Sequence, residues 1–225
     1  MVKHFDRNSI EYSVPVMNAL TIIESPLRIR RLRRLELPLD SIELARFLIG
    51  KTLVRSLPRV RLSGRIVETE SYPVGDPAGH AFRGLTPANR SLFLRRGHAY
   101  VHFTYGSCWL MNVSGDAPGI GAGVLIRALE PLEGIESMMR RRGVNRLQDL
   151  ARGPGRLAQA MDIDKRFDGI DLCVSGTQLW LGAAVKPVGM IGVSVRIGIS
   201  RAANRKLRFY ERGSPFVSGS LRLRR

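Results

Sequence analysis

The sequence predicts an α+β fold in a single domain, with a largely antiparallel sheet. The chain has 225 residues, 44% of them hydrophobic, which suits one domain with an ordinary buried core. Strand-like and helix-like segments do not alternate along it, as they would in a doubly wound parallel sheet. Alternating aromatic and β-branched residues on both sides of Gly106, within residues 98–114, have the pattern of a β-hairpin, which joins antiparallel strands.

The first element is a helix in LDSIELARFLIG, residues 39–50. Asp40 is a suitable N-cap, Glu43 follows three residues later as in a capping box, and Gly50 ends the helix. The folded domain is therefore predicted to begin near residue 38. Strands are predicted next in KTLVRSL (51–57) and LSGRIVETESY (62–72), followed by a loop over residues 73–87 that is punctuated by proline and glycine.

The second half of the chain combines strands with two helices. EPLEGIESMMRRRG (130–143) predicts a helix with Pro131 in its first turn and Gly143 beyond its end. A shorter helix fits GRLAQAMDI (155–163). Strand patterns are found in GAGVLIRALEP (121–131), LWLGAAV (179–185) and IGVSVRIGIS (191–200).

The charge of the chain indicates a polyanionic partner. Lys and Arg number 36 against 19 Asp and Glu, giving +17 and a pI near 11.2, which favours nucleic acid first and an anionic membrane second. Residues 1–37 include five arginines between Arg28 and Arg34. This segment is predicted to be either a solvated, flexible arm or an arm that binds phosphates. Residues 38–225 form the predicted catalytic domain. Without a long apolar run or a secretory leader, the protein is expected to be soluble and intracellular.

Cysteine and histidine spacing argues against a metal site. Cys108 and Cys173 are far apart, neither lies in a C-x-x-C motif, and the four histidines lack H-x-x-x-H spacing. We therefore expect neither a metal nor a disulfide framework, and the function predicted below needs no cofactor.

Two glutamates in RIVETESY (65–72) are unusual in so basic a chain. In a strand, Glu68, Glu70 and Tyr72 face the same side, with neighbouring Cα atoms about 6.5–7 Å apart. Two carboxylates suit hydrolysis of a glycosidic bond; alternatively, they form ion pairs with nearby arginines. The charge favours the N-glycosidic bond of a nucleotide, and an enzyme for that bond needs a pocket for an extruded base.

Six segments together resemble the motifs of the alkyladenine DNA glycosylases, also called methylpurine glycosylases. They occur in order over residues 38–218: GRIVETESY, HAFRGLTPANRSLF, YVHFTYGSCWLMNVS, VLIRALEPLEGIESM, ARGPGRLAQAMDIDKRFDGIDL and RKLRFYERGSPFVS. The resemblance implies a curved antiparallel sheet with peripheral helices and a protruding hairpin that enters the minor groove of DNA.

The resemblance also implies a role for individual residues. Glu70 matches the general base that activates water, and Arg127 matches the arginine that helps to hold the water and Glu70. Tyr72 and His80 match opposite walls of the base pocket, and Asn112 matches its floor, which disfavours guanine. Tyr105 matches the residue that fills the gap left in the duplex. Glu68 matches no assigned role.

His102 departs from the family pattern, which usually has tyrosine at this position. The resemblance places it in the pocket wall with His80, where imidazole offers a smaller stacking face. With a reference pKa near 6.5, His102 is expected to become charged in mildly acidic solution.

The predicted function is a monofunctional DNA glycosylase without lyase activity, which removes alkylated and also deaminated purines from double-stranded DNA. We expect a monomer that acts in the cytoplasm or nucleoid of a prokaryote, or in the nucleus of a eukaryote. Two alternatives stay open at this point. One is a carbohydrate hydrolase that uses Glu68 and Glu70, and the other is a basic nucleic-acid-binding protein of the same fold without chemistry.

Overall fold

A computed structural model of the chain describes residues 27–104 and 106–220. Within them, eight strands form one curled antiparallel sheet, a half-barrel, which confirms the predicted α+β class. Its main order is β3-β4-β5-β2-β1-β6, and β8 pairs with both β2 and β7. The strands are β1 (Thr52–Ser56), β2 (Arg61–Tyr72), β3 (Ala99–Thr104), β4 (Cys108–Ser114), β5 (Gly123–Glu133), β6 (Leu179–Gly182), β7 (Ile191–Ser194) and β8 (Arg208–Glu211).

The central strands divide their side chains between two faces of the sheet, as the period of two requires. One face packs into the hydrophobic core through residues such as Val101, Val113 and Ile126, all fully buried. The alternate residues of the same strands, among them Glu70, Tyr100 and Asn112, point to the other face. This second face is called the site face below.

Helix α1 (Ser41–Leu48) covers the core face. The predicted N-cap is confirmed, because the Asp40 side chain accepts hydrogen bonds from the amides of Ile42 and Glu43 at 2.8 and 3.0 Å. Thr69 of β2 donates its hydroxyl proton to the Ala45 carbonyl at 2.9 Å. This bond fixes α1 on the side of β2 opposite Glu68 and Glu70.

Helix α2 (Ile135–Arg142) begins later than predicted, because β5 continues through Pro131 to Glu133. Pro131 pairs with Gly64 beside a register shift in β2, and such an irregularity accommodates a residue without an N–H. The predicted end is confirmed: Gly143 has φ +62° and donates its N–H to the Met139 carbonyl. Helix α3 (Pro154–Ala160) begins one residue before the second predicted helix and ends three residues before its predicted end, and it packs on α2, β4 and β5.

Residues 27–37, the described end of the predicted arm, pack on the domain. Leu32 and Leu37 are buried in the core, and a short 3₁₀ turn covers Arg34–Glu36. Arg30, Arg31 and Arg34 have partners within the chain: respectively Glu36, Thr177 with Trp180, and Asp171. Residues 1–26 lie outside the described residues, so the boundary near residue 38 stays a prediction. No helix among the described residues has the length and apolar character of a membrane span.

Candidate active site

A cavity of about 370 Å³ opens on the site face of the sheet. Its volume falls within the range of roughly 300–1,000 Å³ that is usual for small-molecule sites. Five of the residues singled out from the sequence line it: Tyr72, His80, His102, Asn112 and Arg127. Glu70 lies behind this lining, in contact with Tyr72 and Arg127. The structure thus brings together six sequence-predicted residues from four separate segments.

Glu70 is fully buried and held by three donors. Its Oε1 accepts the Ile197 amide at 2.8 Å and lies 3.2 Å from an Arg127 guanidinium nitrogen. Its Oε2 accepts the Tyr72 hydroxyl at 3.0 Å. A carboxylate has about four lone-pair sites, and the described residues place donors at three of them, with a second acceptor position on Oε2. A water molecule at that position would satisfy the carboxylate.

Burial raises the pKa of Glu70, and the opposing effects of Arg127, the Ile197 amide and Tyr72 do not fully offset it. A carboxylate with a raised pKa is a stronger base once it is ionised. Burial, together with the adjacent Glu70 charge, also raises the pKa of the Tyr72 hydroxyl, which therefore keeps its proton and donates it.

Glu68 accepts four hydrogen bonds from protein groups. Its Oε1 accepts from Arg127 Nε, Arg208 Nε and the Ser218 hydroxyl at 2.8, 2.7 and 2.9 Å, and its Oε2 accepts the Ser218 amide at 2.6 Å. Burial acts to raise the pKa of Glu68, but Arg127 and Arg208 outweigh it and hold this pKa below its ordinary value. The ion-pair interpretation is thus correct for Glu68, which has the contacts of a structural anion.

Arg127 reaches both glutamates because the strand pairing is irregular around it. The β2–β5 register steps from Glu68↔Ala128 to Thr69↔Ile126 and passes over Arg127. Bulges of this kind re-aim side chains and are common beside active sites. The guanidinium donates through Nε to Glu68 and faces Glu70 through Nη1. An arginine in an apolar strand needs such anionic partners.

Two histidines and a tyrosine form an aromatic wall. The rings of His80 and His102 meet edge to face with centroids 4.4 Å apart, and Tyr100 stacks on His102 at 5.0 Å and 21°. The Tyr100 hydroxyl lies 2.8 Å from His80 Nδ1. These contacts fix the imidazoles relative to each other, although His80 comes from the loop after β2 and His102 from β3.

Both imidazoles titrate below the ordinary range. Desolvation lowers the pKa of His80, and desolvation with the neighbouring His80 lowers that of His102 to about 4. The sequence-based expectation that His102 becomes charged in mildly acidic solution is therefore wrong. That expectation used the reference value of the free imidazole and did not include burial between other rings.

Asn112 lies in one row of residues that crosses the sheet. The registers pair Tyr100 with Asn112, Asn112 with Leu125, and Leu125 with Glu70. Asn112 is thus two strands from Glu70, or about 10 Å between Cα atoms at the usual strand spacing. Its amide nitrogen lies 3.5 Å from His102 Nδ1, which joins it to the aromatic wall.

Sequence reasoning missed several groups of the site. Tyr100 could have been found, because it alternates with His102 in YVHF and so shares its face. The Ile197 donor could not have been found, because it is a backbone amide and does not depend on the type of side chain. Asp76 and Arg196 form a buried ion pair beside the cavity across 120 positions of sequence, which local patterns do not reveal.

Tyr105 lies outside the described residues. Its flanking strands β3 and β4 pair antiparallel from Ala99↔Val113 to Thr104↔Cys108, but its insertion into DNA stays a prediction. In the described parts of the chain, no cluster of three or more His, Cys, Asp or Glu side chains has the arrangement of a metal site.

Comparisons with known proteins agree with the sequence resemblance. The family model described as methylpurine-DNA glycosylase (MPG) matches residues 36–215. A protein of Mesorhizobium japonicum is 64% identical over 186 residues, which cover 83% of this chain and 89% of the relative. Relatives from Paraburkholderia phytofirmans and Granulibacter bethesdensis are 54% and 48% identical, covering 88% and 79% of this chain and 92% and 82% of their own.

All three relatives carry the name "Putative 3-methyladenine DNA glycosylase". The matched region includes every described side chain of the cavity and both glutamates. The motif resemblance is thereby confirmed, and the chain belongs to the methylpurine-DNA glycosylase family.

Proposed function

We propose that this protein is a monofunctional DNA glycosylase that extrudes an alkylated purine from the duplex and hydrolyses its N-glycosidic bond with water activated by Glu70. One observation carries the proposal. A buried carboxylate with a raised pKa, restrained by Arg127, Tyr72 and Ile197, adjoins an aromatic-lined cavity that a single base can enter.

In this mechanism, Glu70 accepts a proton from a water molecule at the second acceptor position on Oε2. The water oxygen bonds to the sugar C1′ as the C1′–N bond breaks, and the bonding electrons leave with the base. Arg127 keeps Glu70 in place and favours its ionised form. General base catalysis of this kind contributes about 10²–10⁴-fold.

The cavity walls favour cationic purines. Alkylation at N3 or N7 gives the base a positive charge, and electron-rich rings attract such a cation over their faces. Because burial lowers the pKa of His80 and His102, both rings are neutral near pH 7 and do not repel the charge. Asn112 at the floor is the group proposed to exclude the amino group of guanine. A deaminated base is neutral, and its removal needs additional help with the leaving group.

We propose that the substrate is double-stranded DNA and that the protein acts as a monomer. The +17 charge supplies attraction to the phosphate backbone. The described residues that line the cavity offer carboxylate, amide and ring groups but not a lysine amine, which supports direct hydrolysis over a lyase step.

Base release from a duplex that carries one N3- or N7-methylated purine tests the proposal. We expect free methylated base, an intact abasic strand, and no enzyme–DNA adduct on borohydride treatment. Binding of the duplex without release would favour the non-catalytic alternative. Release of sugar from oligosaccharides, with inert DNA, would favour the carbohydrate hydrolase.

A further inference from the structure

Arg196 is a fully buried arginine at the meeting point of three segments of the site. Its guanidinium donates to both carboxylate oxygens of Asp76, at 2.5 and 3.1 Å, and to the Ser71 carbonyl at 3.0 Å. It also lies over the ring of Tyr72, 4.6 Å from the centroid. The side chains of Arg196 and Asp76 are both 0% exposed, so these contacts are made without competing water.

The position of Arg196 in the sequence gives these contacts a second effect. The next residue, Ile197, donates its amide to Glu70 Oε1 at 2.8 Å. A side chain held by Asp76, Ser71 and Tyr72 therefore restrains the backbone that carries this donor. Ile197, Gly198 and Ile199 then continue along the cavity wall.

Asp76 connects the same cluster to the loop that carries His80. Its side chain accepts the Ala78 amide at 3.0 Å, and its carbonyl accepts the Gly79 amide at 2.9 Å. These bonds shape the turn directly before His80. Arg196 thus holds Asp76, the residue at which the loop turns towards His80 and the aromatic wall.

We propose that Arg196 and Asp76 are positioning residues of the active site: together they set the Tyr72 ring, the Ile197 amide on Glu70, and the approach of the His80 loop. The inference rests on the proposed function, since it names groups that prepare Glu70 for its task. Neither side chain needs to contact the reacting atoms.

Lysine cannot replace Arg196 in this role. Its ammonium keeps the charge, but it lacks the planar fork that binds both Asp76 oxygens and stacks on Tyr72. Arg196→Lys is thus expected to preserve the buried charge while loosening the geometry. Misplacement of about 1 Å at a catalytic group can reduce a rate by about 10²-fold.

Arg55 provides a matched control. It is also a buried arginine, with its guanidinium 4.4 Å over the Phe167 ring and 3.7 Å from Asp162, and neither Arg55 nor Phe167 lines the cavity. Arg55→Lys therefore reports the general effect of exchanging a stacked, buried arginine.

The test measures two quantities for wild type, Arg196→Lys, Asp76→Asn and Arg55→Lys. The first is single-turnover release of a methylated purine at saturating enzyme. The second is the titration midpoint of Glu70, followed by carboxyl NMR without DNA. Glu68 and Tyr72 of β2 and Arg127 of β5 act on Glu70 electrostatically, Arg208 of β8 pairs with Glu70 in the sheet, and Arg196 lies over Tyr72. The two lysine variants leave the first four unchanged and keep a positive charge at the substituted position.

We expect release about 10- to 100-fold slower in Arg196→Lys and Asp76→Asn than in Arg55→Lys. We also expect a higher Glu70 midpoint in Arg196→Lys, because a loosened Ile197 amide stabilises the carboxylate less. Equal rates and equal midpoints in Arg196→Lys and Arg55→Lys would overturn the inference. If the wild type releases no base, the proposed function fails, whereas the midpoints still decide whether Arg196 positions the donor to Glu70.

Discussion

Glu68 and Glu70 are two residues apart on one face of β2, equally buried, and both next to Arg127, yet their environments differ in kind. Glu68 accepts four hydrogen bonds and contacts two arginines, and its pKa is lowered. Glu70 accepts two hydrogen bonds and faces one arginine, and its pKa is raised. Burial alone therefore does not determine the chemistry of a carboxylate; the number of donors and cations around it does.

The difference follows from what the neighbouring strands supply. On the Glu68 side, β8 brings Arg208 and the chain beyond it brings Ser218, so protein groups fill the space. On the Glu70 side, the neighbours are Tyr72, Arg127 and the Ile197 amide, and all three residues line the cavity. Both carboxylates are fully buried, but only Glu70 is held by three residues that all line the cavity.

The largest expected effect is on catalysis, in Glu70→Gln. An amide cannot take a proton from water, so single-turnover release of a methylated purine should fall by about 10²–10⁴-fold or more while binding of the duplex is retained. Near-wild-type release would remove Glu70 from the base role. A comparable catalytic loss in Glu68→Gln with unchanged stability would transfer that role to Glu68.

A second comparison concerns the free energy of unfolding. Glu68→Gln leaves Arg127 and Arg208 without their shared anion, and breaking a buried pair in this way costs about 3–5 kcal/mol. Glu70→Gln replaces a carboxylate whose charged form burial already disfavours, so its loss should be much smaller. Urea denaturation of both variants measures the difference. Equal losses would mean that the two sites do not differ as their contacts indicate.

The pH dependence of stability should have opposite signs for the two residues. A lowered pKa means that Glu68 contributes stability above its unfolded value of 4.5, and that this contribution is lost as the pH falls towards its folded pKa. A raised pKa means that the Glu70 contribution is present below 4.5 and is lost as the pH rises through its folded pKa. Subtracting the unfolding free energies of each Gln variant from those of the wild type isolates these slopes. Parallel slopes would contradict the assignment.

The smallest effect is expected for His102→Tyr on the acid limb of the activity profile. His102 has a lowered pKa of about 4, whereas the pKa of Glu70 is raised above 4.5, so Glu70 gains its proton first as the pH falls. Wild type and variant should therefore lose activity at the same pH, even if their rates on individual lesions differ. An acid limb that moves in the variant would show that the imidazole titrates together with Glu70.

Sequence reasoning reached those parts of the site that local patterns encode. The period of two in RIVETESY placed Glu68, Glu70 and Tyr72 on one face, and the cap at Asp40 placed the first helix. The family motifs selected the lining residues. The first two predictions depend on residues within a few positions of each other, and the third depends on motifs that follow one another in a fixed order along the chain.

Pairings between distant segments could not be predicted in the same way. The hydrogen-bond partners of Glu68 cannot be identified from local sequence, because Arg208 and Ser218 are 140 and 150 positions away. The predicted start of α2 is too early, because proline is compatible both with the first turn of a helix and with an irregular strand. Only the pairing of Pro131 with β2 shows that it belongs to the strand. The pKa of His102 required the positions of His80 and Tyr100, which the tertiary fold supplies.

The positive charges of the chain fall into two groups, buried arginines and side chains that are exposed to solvent. Among the described residues, five arginines are buried: Arg55, Arg65, Arg127, Arg196 and Arg208. Ions in solution screen exposed charges over about 8–10 Å at physiological strength but act much less on buried pairs. Raising the ionic strength should therefore weaken attraction to a phosphate backbone while leaving these internal pairs almost intact. We therefore expect salt to release the protein from a polyanion without unfolding it, because the buried arginines and those that face the solvent respond differently to ionic strength.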